Sequence, residues 1–281
     1  MVHDADEARN LQGCRVLRAY GVTDKGRVRA TNEDFFAIDE SLGLAVVADG
    51  MGGHNAGEVA ARLAVDTIVE FVTDLLVRRG GLDRRMADET WPFGIDPSLS
   101  AGGNALRTAI HLANVQILEM AATSDGYAGM GTTVVAALVT GDRLSIAHVG
   151  DSRAYMFTKA GARQLTGDDS WVATVLAQNP ETDPAMLRHH PMRNALTNVV
   201  GARPRVEVHV AEETLAGGER FLLTTDGVHG VLDQAALESI VGGTADAEAM
   251  PAAIVNAALA HGSRDNCTVI LGEYVRGDVG T

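Results

Sequence analysis

The sequence predicts an α+β fold in which antiparallel sheets stack face to face and helices cover the outside. Strand-like and helical stretches come in blocks, not in the strict alternation that a doubly wound parallel sheet needs. Four apolar runs meet an acidic residue beside Gly or Asn, where a strand should run into a turn: T-N-E-D-F-F at Asp34, V-V-A-D-G-M-G-G at Asp49, L-L-T-T-D-G-V at Asp226 and S-R-D-N-C-T-V at Asp265. Carboxylates placed this way can converge at one sheet edge, where they need counter-charge, and hard divalent cations are its usual source. With 46% hydrophobic and 21% charged residues over 281 positions, the chain can bury one sizeable core, so one domain is expected.

Short apolar runs between Val16 and Asp49, V-L-R-A-Y-G-V, F-F-A-I and L-G-L-A-V-V-A, read as strands separated by charged and Gly-containing turns. After Gly52 and Gly53 the period changes. Val59, Leu63, Ala64, Ile68, Phe71 and Leu75 recur at helical spacing, with Glu58, Arg62, Asp66 and Glu70 on other faces. Pro92, Pro97 and several glycines make the stretch from Gly80 to Gly103 a loop, and a second amphipathic helix is expected from Leu106 to Leu118. T-T-V-V-A-A-L-V-T, R-L-S-I-A-H-V and R-A-Y-M-F then read as strands, the first two joined by a Gly141-Asp142 hairpin turn. Between Thr166 and Val200 the composition turns polar, with three prolines and the pair His189 and His190, and a partly helical excursion from the sheet is expected. V-E-V-H-V and R-F-L-L-T-T restore strands, helices follow around Gln234–Val241 and Pro251–Leu259, and C-T-V-I-L-G-E-Y-V is the last strand.

The formal net charge of −14 makes nucleic acid and anionic membranes poor partners, and it repels a phosphorylated substrate unless the site carries local positive charge. Cys14 and Cys267 show neither a C-x-x-C pair nor a metal-ligand spacing, which fits a reducing cytoplasm. The N-terminus is acidic where a signal peptide needs a basic region, and no apolar run approaches the roughly 18 residues that span a bilayer. A cytoplasmic monomer is therefore expected.

Three groups carry the chemistry. Arg29 precedes Glu33 and Asp34, and its planar fork suits a phosphate, although an isolated R-x-x-x-E-D also describes a surface ion pair. Asp49 ends an apolar strand ahead of Gly50, Gly52 and Gly53, so its carboxylate can serve two metals while an unhindered glycine carbonyl coordinates one of them. A phosphate-cradling loop is the alternative there, but the spacing matches neither G-x-G-x-x-G nor the P-loop. Asp226-Gly227 and Asp265-Asn266 repeat the pattern, and each alone would be an ordinary turn. All-oxygen ligation favours Mg²⁺ or Mn²⁺ over zinc, and the nine histidines, without an H-E-x-x-H arrangement, read as structural or exposed.

In order along the chain, R-A-T-N-E-D, V-A-D-G-M-G-G-H, G-M-G-T-T, V-G-D-S-R-A-Y, L-T-G-D-D-S, L-L-T-T-D-G and S-R-D-N-C-T resemble the metal-dependent serine/threonine protein phosphatases of the phosphatase 2C (PPM) family. The resemblance runs from about Leu17 to about Val275 and is closest to the stand-alone bacterial members. It implies a four-layer α-β-β-α sandwich with a flap near 166–200, a catalytic domain over 13–276, and tails at 1–12 and 277–281. By carry-over, Asp49 would bridge two Mg²⁺ or Mn²⁺ ions, Gly50 would lend its carbonyl, Asp226 and Asp265 would complete one ion, and Glu33 would reach the other through water. Asp34 would orient metal-bound waters, Arg29 would hold the substrate phosphate, and Asp151 with Asp226 would offer a third metal position, with Ser170 a looser candidate there. The implied reaction is hydrolysis of phosphoserine or phosphothreonine in proteins by a metal-bridged water, acting on phosphorylated proteins of a serine/threonine kinase pathway.

The chain departs from the family pattern at two places. Met51 stands where eukaryotic relatives carry a histidine thought to protonate the leaving group, with His54 nearby, read as a loop-stabilising residue. Asp169 stands where a histidine is more common, and an extra carboxylate there would either tighten metal binding or repel the phosphate. In the flap, Trp171, Met186 and the two histidines could contact a phosphoprotein, or Trp171 could anchor the flap to the sheet. Gly129-Met130-Gly131 reads as a tight approach into a strand, and Tyr155 and Met156 as sandwich core. Two other functions fit the fold: a silent phosphoprotein-binding module, which would be expected to lack one of Asp49, Asp226 and Asp265, and a hydrolase of small phosphate esters.

Overall fold

The computed structural model describes residues 17–53, 56–78, 91–187, 190–243 and 246–275. Cys14, His54, His189, the first part of the loop after Gly80 and both tails lie outside the described residues.

Two antiparallel sheets form the centre. One holds β1 (Leu17–Asp24), β11 (Cys267–Tyr274), β10 (Arg220–Thr224), β7 (Arg153–Thr158) and β8 (Gly161–Gln164) in that spatial order. The other holds β2 (Asp34–Asp39), β3 (Leu44–Met51), β5 (Val134–Thr140), β6 (Arg143–Val149) and β9 (His209–Thr214), with the two-residue β4 (Gly131–Thr132) on the end of β3. α1 (Ala56–Thr73) and α2 (Ala101–Ala121) cover the second sheet, and α6 (Gln234–Gly243) and α7 (Met250–Ala260) cover the first. Between them come the short α3 (Trp171–Gln178), α4 (Pro184–Leu187) and α5 (Asp226–His229).

The period of two along each strand divides its side chains between two apolar layers. In β3, Ala45 and Val47 face the other sheet, while Leu44, Val46 and Ala48 face α1 and α2. In β7, Ala154 and Met156 point between the sheets, while Tyr155 and Phe157 lie under α6 and α7. Because both faces are covered, the central strands read as continuous apolar runs and not as alternating ones. Met156 is thus sandwich core, and Tyr155 belongs to the outer layer.

Several expectations need correction. The second helix starts at Ala101 and so includes Gly102 and Gly103, with the Ser100 hydroxyl accepting from the Gly103 amide at 3.1 Å. A Cβ on Gly103 would stand 2.7 Å from Glu212 Oε1, so glycine lets this helix end press against β9 despite its low helix propensity. The strand expected at V-E-V-H-V begins only at His209, where pairing with His148 of β6 starts, although Val206 and Val208 already pack toward α1 and α2. β8 and α5 were not legible in the sequence. The Gly141-Asp142 hairpin is present, with φ of 62° at Gly141 alone, as a II′ turn requires. Among the described residues, no helix is long and apolar enough to cross a membrane.

Candidate active site

Antiparallel pairing delivers the carboxylates to one edge of the sandwich. The β2–β3 register sets Asp34 opposite Asp49. β10 ends at Thr224, which pairs with Val269 of β11 and Arg153 of β7. Asp226 just past β10, Asp265 just before β11 and Asp151 just before β7 therefore share that edge. Arg29, Glu33, Asp49, Gly50, Asp151, Asp226 and Asp265 line one cavity of about 270 Å³ there. Asp34 is not on the lining. It is 4% exposed and stands behind the wall, where its Oδ2 accepts from Thr225 Oγ1 at 2.9 Å and Thr268 Oγ1 at 2.6 Å.

Local packing holds each group. The Asp49 amide donates to Thr133 Oγ1 at 3.1 Å, and its carbonyl accepts from the Thr133 amide and from Thr132 Oγ1, both at 2.9 Å. A Cβ on Gly57 would meet Glu33 Oε1 at 2.8 Å and the Gly50 carbonyl oxygen at 2.9 Å, so α1 begins directly against the end of β3. The loop carrying Arg29 and Glu33 is strapped by Asn266, a residue the sequence reading treated only as part of a turn. Its Oδ1 accepts from the Glu33 amide at 2.9 Å, and its Nδ2 donates to the carbonyls of Lys25 and Thr31, both at 2.9 Å. Arg29 itself donates to Asp265 Oδ2 at 2.7 Å.

The electrostatics are those of crowded carboxylates with too little counter-charge. Burial and then the charges of Asp34, Asp226 and Asp151 push Asp49 well above the ordinary carboxylate range. Burial and the neighbouring carboxylates push Asp151 up to about 7 and Asp226 up to about 6. Asp34 is also raised to about 7 by burial, against the two threonine hydrogen bonds that lower it. The Asp265 hydrogen bond raises Arg29, the one cation on the lining among the described residues. Buried Asp226 Oδ1 and Asp34 Oδ1 have no hydrogen-bond partner. This all-oxygen set, with an orphaned carboxylate oxygen beside it, fits hard divalent cations. As the side chains stand, with Asp265 drawn to Arg29, no three carboxylates or imidazoles among the described residues form a ready ion cage. No described histidine lines the cavity, whereas Met51 does.

Asp169 is spoken for. Its Oδ2 accepts from the Gly150 amide at 3.0 Å and from Asn198 Nδ2 at 2.8 Å, and its Oδ1 takes His209 Nε2 at 3.0 Å. It ties the flap to β6 and β9 and neither joins the cavity lining nor faces it as a free charge. Ser170 caps α3 by accepting from the Ala173 amide at 3.2 Å. Trp171 stacks on His190 of the flap at 4.2 Å between centroids, so its ring partner is not in the sheet. Met186, 76% exposed, faces solvent. A larger cavity of about 580 Å³ opens at the opposite strand ends, by Phe157, Arg220 and Tyr274, without a carboxylate cluster.

A family model described as Protein phosphatase 2C matches residues 25–261. The serine/threonine phosphatase stp of Listeria welshimeri is 32% identical over 254 residues, which is 89% of this chain and 93% of its own length. The crystal structure of the Mycobacterium tuberculosis serine/threonine phosphatase PstP/Ppp superposes with a TM-score of 0.77 at 28% identity, covering 93% of this chain and 100% of that one. The catalytic domain of serine/threonine protein phosphatase PstP, solved in complex with 2 manganese ions, superposes at 0.74 with 28% identity, covering 92% and 99%. With a family match over most of its length, and relatives that share both sequence and architecture over about nine-tenths of it, the chain belongs to the protein phosphatase 2C family of serine/threonine protein phosphatases.

Proposed function

We propose that this cavity hydrolyses phosphoserine and phosphothreonine in proteins at a two-ion Mg²⁺ or Mn²⁺ centre and so reverses serine/threonine kinase signalling. The observation that carries the reading is the gathering of Asp49, Asp151, Asp226 and Asp265 around one cavity whose described cation is Arg29 alone. Asp49, the Gly50 carbonyl, Asp226 and Asp265 would hold the ions, with Glu33 beside them on the same lining. Asp151 with Asp226 would offer a weaker third position. When bound, the ions supply an activated water at neutral pH and neutralise the charge that develops on the phosphoryl oxygens.

The chain's own groups do the rest. Arg29 is about half exposed on a loop held by Asn266, and on leaving Asp265 its fork takes two phosphoryl oxygens. Asp34 keeps Oδ2 on Thr225 and Thr268 and has Oδ1 free to accept a proton or orient water from behind Asp49. Met51 offers no proton, so the departing serine or threonine oxygen is protonated from solvent as the P–O bond breaks and water's oxygen joins phosphorus. Phosphate release from a phosphothreonine peptide tests the reading. Release with Mn²⁺ or Mg²⁺, lost in chelator and in Asp226→Asn, is expected; release unaffected by chelator would contradict it.

A further inference from the structure

Beside the catalytic cavity lies a second one of about 370 Å³, and Leu196 is a wall of both. On one side of it run residues 196–199, and on the other stand Arg203 and Arg205. We infer that Arg203 and Arg205 form a subsite for an anionic side chain of the phosphorylated polypeptide, a carboxylate or a second phosphate, near the residue being dephosphorylated. The inference rests on the protein-phosphatase reading above and adds a substrate preference to it.

The loop that presents the two arginines is built, not loose. Val200 and Val206 at its ends are 0% and 7% exposed. Gly201 adopts a φ of 89°, and its amide donates to Asn114 Oδ1 at 2.7 Å. Asn114, 2% exposed in α2, donates back from Nδ2 to the Arg203 carbonyl at 3.0 Å. A buried amide is thus committed to the backbone of a surface loop whose guanidiniums stay in solvent. Arg143, Arg153, Arg163 and Arg220 pair with Glu212, Asp168, Glu213 and Glu273, whereas Arg18, Arg27, Arg193 and Arg264 have no ion pair among the described residues. Arg203 and Arg205 have no ion pair among the described residues.

Two carboxylates share this rim. Asp169 is held by His209, the Gly150 amide and Asn198. The Asn198 side chain donates from Nδ2 to the Glu207 carbonyl and accepts at Oδ1 from the Glu207 amide, and Glu207 sets one negative charge against the two guanidiniums. In a chain of net charge −14, two unpaired guanidiniums on a fixed backbone next to the reaction cavity, offset by Glu207 and by an Asp169 tied to His209, offer donors to an anionic group of the substrate. Asn194 lines the first cavity and Asn198 the second, a separation of at most about 14 Å along the chain. An extended substrate covers that distance in about four residues.

The test uses full-length, Mn²⁺-loaded protein and phosphothreonine peptides with Ala, Asp or a second phosphothreonine four residues to either side, beside p-nitrophenyl phosphate. Wild type is expected to prefer an anionic peptide over the Ala peptide by roughly three- to tenfold in kcat/KM, mainly through KM, and less at high salt. The Asp and phosphothreonine arms separate the two anion sources. In Arg203→Ala/Arg205→Ala the preference should vanish while hydrolysis of p-nitrophenyl phosphate stays unchanged. Equal rates on all peptides in wild type, a preference that survives in the double variant, or an equal loss on p-nitrophenyl phosphate would overturn the subsite. Absence of metal-dependent release from every substrate would instead refute the phosphatase reading beneath it.

Discussion

Asn266 shows how a site can depend on a residue that carries no chemistry. Its three hydrogen bonds join the strand end at Asp265 to the loop of Arg29 and Glu33, more than 230 positions earlier in the chain. Asn266→Ala removes three hydrogen bonds to part-buried backbone groups, and a loss of about 1–3 kcal/mol is expected in urea unfolding, together with a raised KM for phosphopeptide. Met51→His changes a lining residue that offers no oxygen ligand, so manganese affinity measured by titration calorimetry should stay at the wild-type value. Asp49, Asp226 and Asp265 were legible because each sits where a strand meets Gly or Asn, whereas Asp151 followed only from the family resemblance. Asn266, Asn114, Thr225 and Thr268 were not, because their partners lie far away in sequence and their bonds impose no local pattern. Asp169 shows the limit from the other side, since its residue type suggested an effect on metal or phosphate and only its partners reveal a tie between flap and sheet.

At the level of elements, hydrophobic period located nearly every long strand and helix, and tertiary contact decided their ends. Gly102 and Gly103 read as loop by propensity, yet α2 includes them because Glu212 and Ser145 leave no space for larger residues. β9 starts three residues later than its apolar alternation suggested, since hydrogen-bond pairing with β6 and packing of Val206 obey different neighbours. Asn114 couples α2 to the arginine loop in the same non-local way. Asn114→Ala strands the Gly201 amide, and a stability decrease of about 1–3 kcal/mol is expected by chemical denaturation, with the rate on p-nitrophenyl phosphate little changed. A wild-type denaturation midpoint in that variant would show that the loop holds itself.

Across the whole molecule, stacking two antiparallel sheets gathers the ends of five strands at one edge, and the carboxylates there repel one another unless cations are supplied. A ligand that binds the folded state alone stabilises it by about 2.7 kcal/mol at a hundredfold excess over Kd. For a domain of this size that corresponds to a rise in Tm of roughly 5–10 °C on adding Mn²⁺, read by calorimetry and reversed by chelator. An unchanged Tm would mean that the crowded edge holds no ion. The most direct test of the account measures manganese stoichiometry and phosphopeptide turnover together, in wild type and in Asp49→Asn. Two ions per chain in wild type, with binding weakened and turnover reduced at least about a hundredfold in the variant, is the predicted result. Wild-type turnover in Asp49→Asn would contradict the two-ion assignment.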